Sequence, residues 1–349
     1  MTNLHSKRVL LVAPIGQHSE AIAQALRAKG AIVDCYEERP ALNFVAKTLI
    51  RYSPRLIRGY SQAYFDCIVD ETKRNNYDFV LLIRAEAVTR KFIVELRACH
   101  KNAAIFLYQW DSMTLTRGPI DKLELFDRIF SFDKRDCATY SMTFLPLFYI
   151  DDYKDMERAP INPKYDFLFV GTIHSNRFKL IQQVEQYAHS HSMSCYFYMY
   201  IPAPLVFYKM KYFEGKLPGA KRSEFRFSQL SRCETVHVVA DAKILVDSEH
   251  PAQLGLTMRT IEALGSRRKL ITTNADIVNY DFYHPNNILV VNREFVQIPD
   301  SFIESKYVEV ESNTYQKYSV HQWVSTIFQS PDCTPATPSE MAQQSAVCP

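Results

Sequence analysis

Short apolar runs, each too brief for a helix, recur along the first part of the chain at 9–15, 31–36, 79–83, 104–108 and 128–132. Stretches with helical spacing of apolar residues lie between them. Lys7-Arg8 leads into the first run, which reads as a buried strand ending in the loop at Gly16. Ser19 is placed to cap a helix over 20–29, and Gly30 to stop it. A strand, a helix and a second strand in this order predict a parallel sheet with crossover connections. Runs without polar alternation predict strands covered on both faces.

The pattern breaks at 151–163, a stretch rich in Asp, Lys and Pro with no apolar period, which reads as a linker. It then restarts, with strands expected at 165–171, 194–200, 242–246, 269–273 and 288–291 and a helix at 177–189. Two successive arrays of this kind predict an α/β protein of two Rossmann-like domains facing a central cleft. The expected boundaries are 1–155 for the first domain and 156–314 for the second. An amphipathic helix over 315–329 is expected to cross back onto the first domain. The polar Pro/Thr/Ser/Ala-biased segment 330–349 is expected to be disordered.

Composition narrows the classes. A chain of 349 residues with 47% hydrophobic residues is long enough for two cores. A formal net charge of +3 is too small to predict a nucleic-acid partner. The eight cysteines are scattered without a CxxC pair, so reduced, structural thiols are expected. The apolar run at 9–15 is too short for a signal-peptide core with flanks, and nothing approaches the ~18–20 apolar residues of a membrane span. A cytoplasmic location is expected. No GxxxxGK[ST], GxSxG, HExxH or DxD motif occurs, which removes the ATPase, serine hydrolase and zinc protease readings. Neither a metal nor a resident cofactor is expected.

Two segments carry candidate binding chemistry. In ILVDSEHPAQLGLTMRTIEALGSRRKLITTN, a strand ends at Asp247 and a polar loop holds His250 and Gln253. Gly255 allows close backbone approach, and a helix starts near Thr257. Open N–H groups at that start, with Thr257, Thr260 and Arg259, make an anion site, and Glu262 one turn on can accept from vicinal hydroxyls. The plainer alternative has Glu262 capping or pairing on the surface. In FVGTIHSNR, Gly171 allows a tight turn, and His174 and Arg177 stand at the next helix start, suited to a diphosphate. Alternatively His174 caps and Arg177 faces water. Asp111 and Glu86 follow the strands at 104–108 and 79–83, where α/β ligand sites gather, and either can serve as a general base. Asp111 can equally cap a turn before Ser112. Glu37, Glu38 and Arg39 follow the second strand and can line the same region.

HPAQLGLTMRTIEALG, followed by KLITTN and YDFYHPNNI, resembles the donor-binding domain of GT-B glycosyltransferases, in particular a group of bacterial lipopolysaccharide and capsule biosynthesis proteins. CYEERP, YQWDS, FSFDKRD, LPLFY and FVGTIHSNR fit the same group. The resemblance spans roughly residues 7–295. It implies a metal-independent transferase that moves sugar from a nucleotide-sugar co-substrate to a surface-glycan or glycolipid acceptor. The second domain would hold the donor through Gly171, His174, Arg177, His250, Gln253, Gly255, Thr257, Arg259, Thr260 and Glu262. Two departures leave stereochemistry and donor open. Leu254 stands where many retaining members carry a first glutamate, and Thr257 where they carry a second loop glycine. A sugar-nucleotide epimerase and a non-catalytic sugar-nucleotide-binding protein are the competing readings.

Two further stretches suggest contact with the inner face of the cytoplasmic membrane. Lys47, Arg51, Arg55 and Arg58 form one basic helical face over 43–60, with Pro54 expected to kink or split that helix. Over 205–222, Phe207, Tyr208, Tyr212 and Phe213 interleave with lysines. A merely solvated face is the alternative for both.

Overall fold

The structure, a computed structural model, describes residues 4–40, 54–116, 118–154, 156 and 163–329. The basic face expected from Lys47, Arg51, Arg55 and Arg58 falls outside the side chains described, as does the segment 330–349. Packing divides the chain into two units. One contains the described residues up to Pro146 together with those from His321 onward; the other runs from Leu147 to Val320.

The first unit is built on a six-stranded sheet in the order β2-β1-β3-β4-β5-β6. Its strands are β1 (Arg8–Ala13), β2 (Ile32–Glu37), β3 (Phe79–Ile83), β4 (Ala104–Gln109), β5 (Arg128–Ser131) and β6 (Thr143–Phe144). All pairings are parallel. Between them run α1 (Gln17–Ala28), α2 (Pro54–Thr72), α3 (Arg90–Cys99) and α4 (Lys134–Tyr140).

Side chains alternate across a strand. Leu10, Val12, Val80 and Leu82 therefore share one face, where they pack with Phe65 of α2 and Phe92 of α3. On the same strands, the intervening positions serve a different helix near the C-terminus, α12 (Val320–Phe328). Its Phe328 ring lies 5.0 Å from that of Phe79. Its Trp323 stands edge-on to Tyr108 at 4.7 Å. Covered on both sides, β3 and β4 are buried throughout, which is why they read as unbroken apolar runs.

The second unit repeats the plan, with sheet order β12-β11-β10-β7-β8-β9 and parallel pairing throughout. Its elements begin with α5 (Asp151–Lys154), β7 (Tyr165–Thr172), α6 (Arg177–Ser190), β8 (Cys195–Tyr200) and α7 (Pro204–Tyr208). Then come β9 (Phe225–Arg226), α8 (Arg232–Ala240), β10 (Ala242–Val246), α9 (Met258–Ser266), β11 (Lys269–Thr272) and β12 (Ile288–Val290). Two short helices close the unit, α10 (Asp300–Glu304) and α11 (Ser312–Lys317). Phe167, Phe169, Ile244 and Ile271 pack under Leu180 and Ile181 of α6. On α9, Gly265 lies against Tyr149 so closely that an added Cβ would sit 2.6 Å from the Tyr149 Cβ. Tyr315 fixes that contact by donating to the Gly265 carbonyl at 2.7 Å, and its own carbonyl accepts from the Tyr149 hydroxyl at 3.0 Å.

Local details differ from the sequence expectations. Helix α1 starts at Gln17 behind Gly16, not behind Ser19, because the Ser19 hydroxyl donates back to the Pro14 carbonyl at 2.5 Å. Gly30 does follow the helix end, with φ +85°. The helix expected over 315–329 is two helices, α11 and α12. The described part of α2 starts at Pro54; the kink or split expected there concerns residues 43–53, which lie outside the described residues. The six cysteines among the described residues are free. No described helix is long and apolar enough to cross a membrane.

Candidate functional site

Strand order places a switch point between β7 and β10 in the second unit, since β8 and β9 lie to one side of that pair and β11 and β12 to the other. In open parallel sheets, ligands bind beyond the carboxyl ends of the strands at such a point. The reason is steric: the connections leave in opposite directions and open a crevice.

At the end of β7, Gly171 lets the first residue of α6 fold back over the strand. A Cβ there would meet the Phe169 ring at 3.1 Å and Arg177 Nη1 at 3.6 Å. Arg177 donates from Nε to the Ser248 carbonyl at 2.6 Å and from Nη1 to the Thr172 carbonyl at 3.0 Å. Its Nη2 lies 3.9 Å from Asp247. The guanidinium thus straps β7 to the end of β10. Burial lowers its pKa, yet an arginine remains cationic at any physiological pH.

Ser175, at φ +51°, makes the left-handed turn into α6 without a glycine. Its hydroxyl is 3.3 Å from His174 Nδ1. Burial, and then the neighbouring Arg177 cation, push the His174 imidazole down to about 3. His174 is therefore a neutral donor or acceptor near pH 7. The His250 ring lies 5.5 Å from it.

The loop after β10 is closed from within. Gln253 donates to the Gly255 carbonyl at 2.9 Å, and Asn274 to the Leu254 carbonyl at 3.0 Å. Thr257 is the N-cap of α9, accepting from the Thr260 N–H at 3.2 Å. Its hydroxyl donates to Asp247 at 2.6 Å, and the Thr260 hydroxyl lies 3.5 Å from the same carboxylate. The Asp247 carboxylate therefore already stands beside this helix start, where negative charge is favoured.

Arg259 and Glu262 turn inward. Arg259 donates to the Val170 carbonyl at 3.1 Å and pairs with Glu262 at 2.5 Å. Glu262 is only 4% exposed, and buried Tyr153 of α5 sets its hydroxyl against both partners. Glu262 is thus paired, but in the interior rather than on the surface.

Sequence reasoning missed the polar network around Arg293, just past β12. Arg293 donates to Asn176 at 3.0 Å, to the Ser248 hydroxyl at 3.0 Å and to Thr273 at 3.0 Å, and it pairs with Glu249. Thr273 donates in turn to Glu249 at 2.6 Å. The signal was available, because an arginine directly beyond a parallel strand falls on the ligand edge of the sheet.

The first unit has its own switch point, between β1 and β3. Beyond β3 the backbone is left-handed at two successive non-glycine residues, Arg84 at φ +72° and Ala85 at φ +49°. Such strain persists only where surroundings hold it; here Arg84 N–H donates to Tyr108 and the Arg84 carbonyl accepts from Gln109 at 2.6 Å. The turn aims Arg84 between the two expected bases, 2.7 Å from Glu86 and 3.0 Å from Asp111. Arg39 pairs with Glu86 as well, and its Nε lies 3.3 Å from Glu38. Of the two bases, Asp111 has the more accessible side chain, at 37% against 18% for Glu86. Glu38 is fully buried and accepts from the Ala87 N–H at 2.7 Å; burial pushes its carboxyl up to about 7. Among the described residues, no three metal-ligating side chains gather as a candidate metal site.

No protein-family model matches the chain. No curated protein matches it in sequence. Solved structures do match it in fold. An α,α-trehalose-phosphate synthase (UDP-forming) from Burkholderia vietnamiensis superposes with a TM-score of 0.56 at 10% identity, over 98% of this chain and 100% of that one. Anabaena HepE, solved in complex with UDP and glucose, gives 0.54 at 12% identity, over 93% and 98%. A UDP-GlcNAc 2-epimerase from Methanocaldococcus jannaschii gives 0.53 at 10% identity, over 93% and 100%. At such identities the likeness establishes the fold, which is GT-B: two Rossmann-like domains, each on its own parallel sheet.

Proposed function

We propose that the chain is a glycosyltransferase that moves a sugar from a nucleotide-sugar donor to a lipopolysaccharide, capsule or other surface-glycan acceptor, working in the cytoplasm at the inner face of the membrane. The observation that carries this reading is the start of α9 at the β7–β10 switch point, the ligand edge of an open parallel sheet, with the neutral His174 ring just beyond the end of β7. Neutral donors at a helix start suit the diphosphate of an activated sugar. Support from other proteins is that structures of this fold include a UDP-forming synthase and a protein holding UDP and glucose.

In this reading an acceptor hydroxyl oxygen attacks the anomeric carbon. The bond from that carbon to the diphosphate oxygen breaks, and the nucleoside diphosphate leaves with the electron pair. The acceptor's proton passes to Asp111 or Glu86 of the first unit. Gly171, Arg177, Gln253, Gly255, Arg259, Thr260 and Glu262 shape the donor loop. Arg177, Arg259 and Glu262 do so as internal braces, given the partners described above.

A sugar-nucleotide epimerase is the second reading, favoured by the full-length fold likeness to a UDP-GlcNAc 2-epimerase. Incubation with radiolabelled sugar nucleotides, with and without membrane extract, separates the two. Label entering lipid or glycan supports transfer, and an isomerised donor without acceptor supports epimerisation. Donor binding without turnover sinks both. The variant His174→Ala is expected to weaken UDP-sugar binding about tenfold, the worth of one hydrogen bond, with an unchanged melting temperature.

A further inference from the structure

The chain between β8 and β9 makes a short excursion that is apolar on both sides. Helix α7 runs directly into a π-helical turn, Lys209–Phe213. The inner side is anchored: Phe207, Met210, Leu217 and Ala220 all belong to the core of the second unit. The Phe207 ring packs 5.1 Å from that of Phe225. With that side buried, the outward positions are the ones an ordinary surface helix makes polar.

They are not polar here. Leu205 is 81% exposed, Tyr208 43%, Tyr212 68% and Phe213 87%. Of thirteen exposed large hydrophobic side chains among the described residues, these four fall within one excursion. That clustering separates a surface patch from ordinary scattered exposure.

Charge surrounds the patch with one sign. The segment 204–222 contains Lys209, Lys211, Lys216, Lys221 and Arg222 against the single acid Glu214. Glu214 is itself held by Lys209 at 3.2 Å and Lys216 at 2.6 Å. Lys211 donates to the Ala220 carbonyl at 2.7 Å, which holds the excursion closed, and its ammonium lies 5.4 Å from the Tyr212 ring centre. The patch is therefore preformed rather than dependent on ordering at contact.

We infer that Leu205, Tyr208, Tyr212 and Phe213 form a docking surface for an anionic phospholipid bilayer, with the surrounding cations neutralising its headgroups. Aromatic rings and a leucine enter the interfacial layer, while the lysine stems let their ammonium groups stay at headgroup level. This names the surface behind the membrane contact of the proposed function. It rests on that reading only for the reason to dock, a lipid-linked acceptor.

The test is co-sedimentation of the full chain with phosphatidylcholine vesicles, with and without phosphatidylglycerol. The wild type should bind only the anionic vesicles, and less at high salt. Leu205→Ser with Phe213→Ser should weaken that binding about tenfold, and Lys221→Gln with Arg222→Gln should flatten its salt dependence. UDP-sugar binding and melting temperature, followed in the same variants, should not move. No binding to anionic vesicles, or equal binding by the Ser variants, overturns the inference. So does self-association of the wild type that Phe213→Ser abolishes, which would assign the patch to a second copy. Failure of the donor reading registers separately, as absent UDP-sugar binding with vesicle binding intact.

Discussion

Replacing Glu262 by Gln removes one charge from the interior of the second unit while keeping the side chain's shape. The Arg259 guanidinium would be left with the Val170 carbonyl, the Tyr153 hydroxyl and, through space, the Asp247 carboxylate. The two side chains are 14% and 5% exposed, so water cannot replace the lost carboxylate. Breaking a buried pair from one side costs about 3–5 kcal/mol, because the charge that stays behind is compensated only in part, here by Asp247. With a urea slope of about 2 kcal/mol/M, the midpoint should fall by about 2 M. Both tryptophans, Trp110 and Trp323, lie in the first unit, so fluorescence would miss the event. Far-UV circular dichroism and hydrogen exchange at β10 and α9 would report it. A double replacement, Arg259→Met with Glu262→Met, should recover most of the loss, since a packed apolar pair is often as stable as a buried ionic one. A different pattern refutes this account. If Glu262→Gln loses less than about 1 kcal/mol while UDP-sugar affinity collapses, the carboxylate serves a ligand and the pair with Arg259 is incidental.

Other perturbations follow from single contacts. Gly265→Ala would place a Cβ 2.6 Å from the Tyr149 Cβ, an atom whose position the backbone fixes whatever the rotamer. An overpacking cost of about 3 kcal/mol should outweigh the helix-propensity gain of about 1 kcal/mol, and thermal unfolding would show a net loss. For Glu38, burial raises the folded-state value from 4.5 to about 7, so folding favours its protonated form. That contribution is complete below about pH 4.5 and is lost as pH rises through about 7, a swing of about 3 kcal/mol. Glu38→Gln should therefore gain stability relative to the wild type between about pH 5 and pH 8, read as the difference in urea midpoints; a gap that shrinks over that range contradicts the burial argument.

The strands were legible because a parallel strand covered on both faces has no polar alternation to obscure it, as Phe79–Ile83 illustrates. Two of the four edge strands, Thr143–Phe144 and Phe225–Arg226, are each two residues long and carry no run that a pattern could detect. Cap chemistry was only half legible. Thr257 caps α9, whereas Ser19 has a closer acceptor in the Pro14 carbonyl. Which residues approach the sheet edges was readable from strand ends alone. Their partners were not, because they are distant in sequence. Tyr153 reaches Glu262 from a segment that looks like linker, and Arg293 reaches Asn176 from the far side of the sheet.

Those partners change what the edges can do. In the second unit Arg177 stands near Asp247, Arg259 pairs with Glu262 and Arg293 with Glu249. In the first unit Arg39 and Arg84 face Glu38, Glu86 and Asp111, and buried Lys122 is held by the Ala85 and Val88 carbonyls nearby. Among the described residues, the cations named at either edge are thus already held, and none of these guanidinium groups is without a partner. Coulomb attraction between a site and a diphosphate depends on the site's unmatched charge, so long-range attraction here is weak. On the proposed reading, selection then falls to short-range geometry: the first-turn N–H groups of α9 that the Thr257 cap leaves open and the neutral His174 ring, which a diphosphate can engage only in register. An edge built this way discriminates by shape and hydrogen-bond direction, which suits recognition of a whole sugar nucleotide over inorganic phosphate.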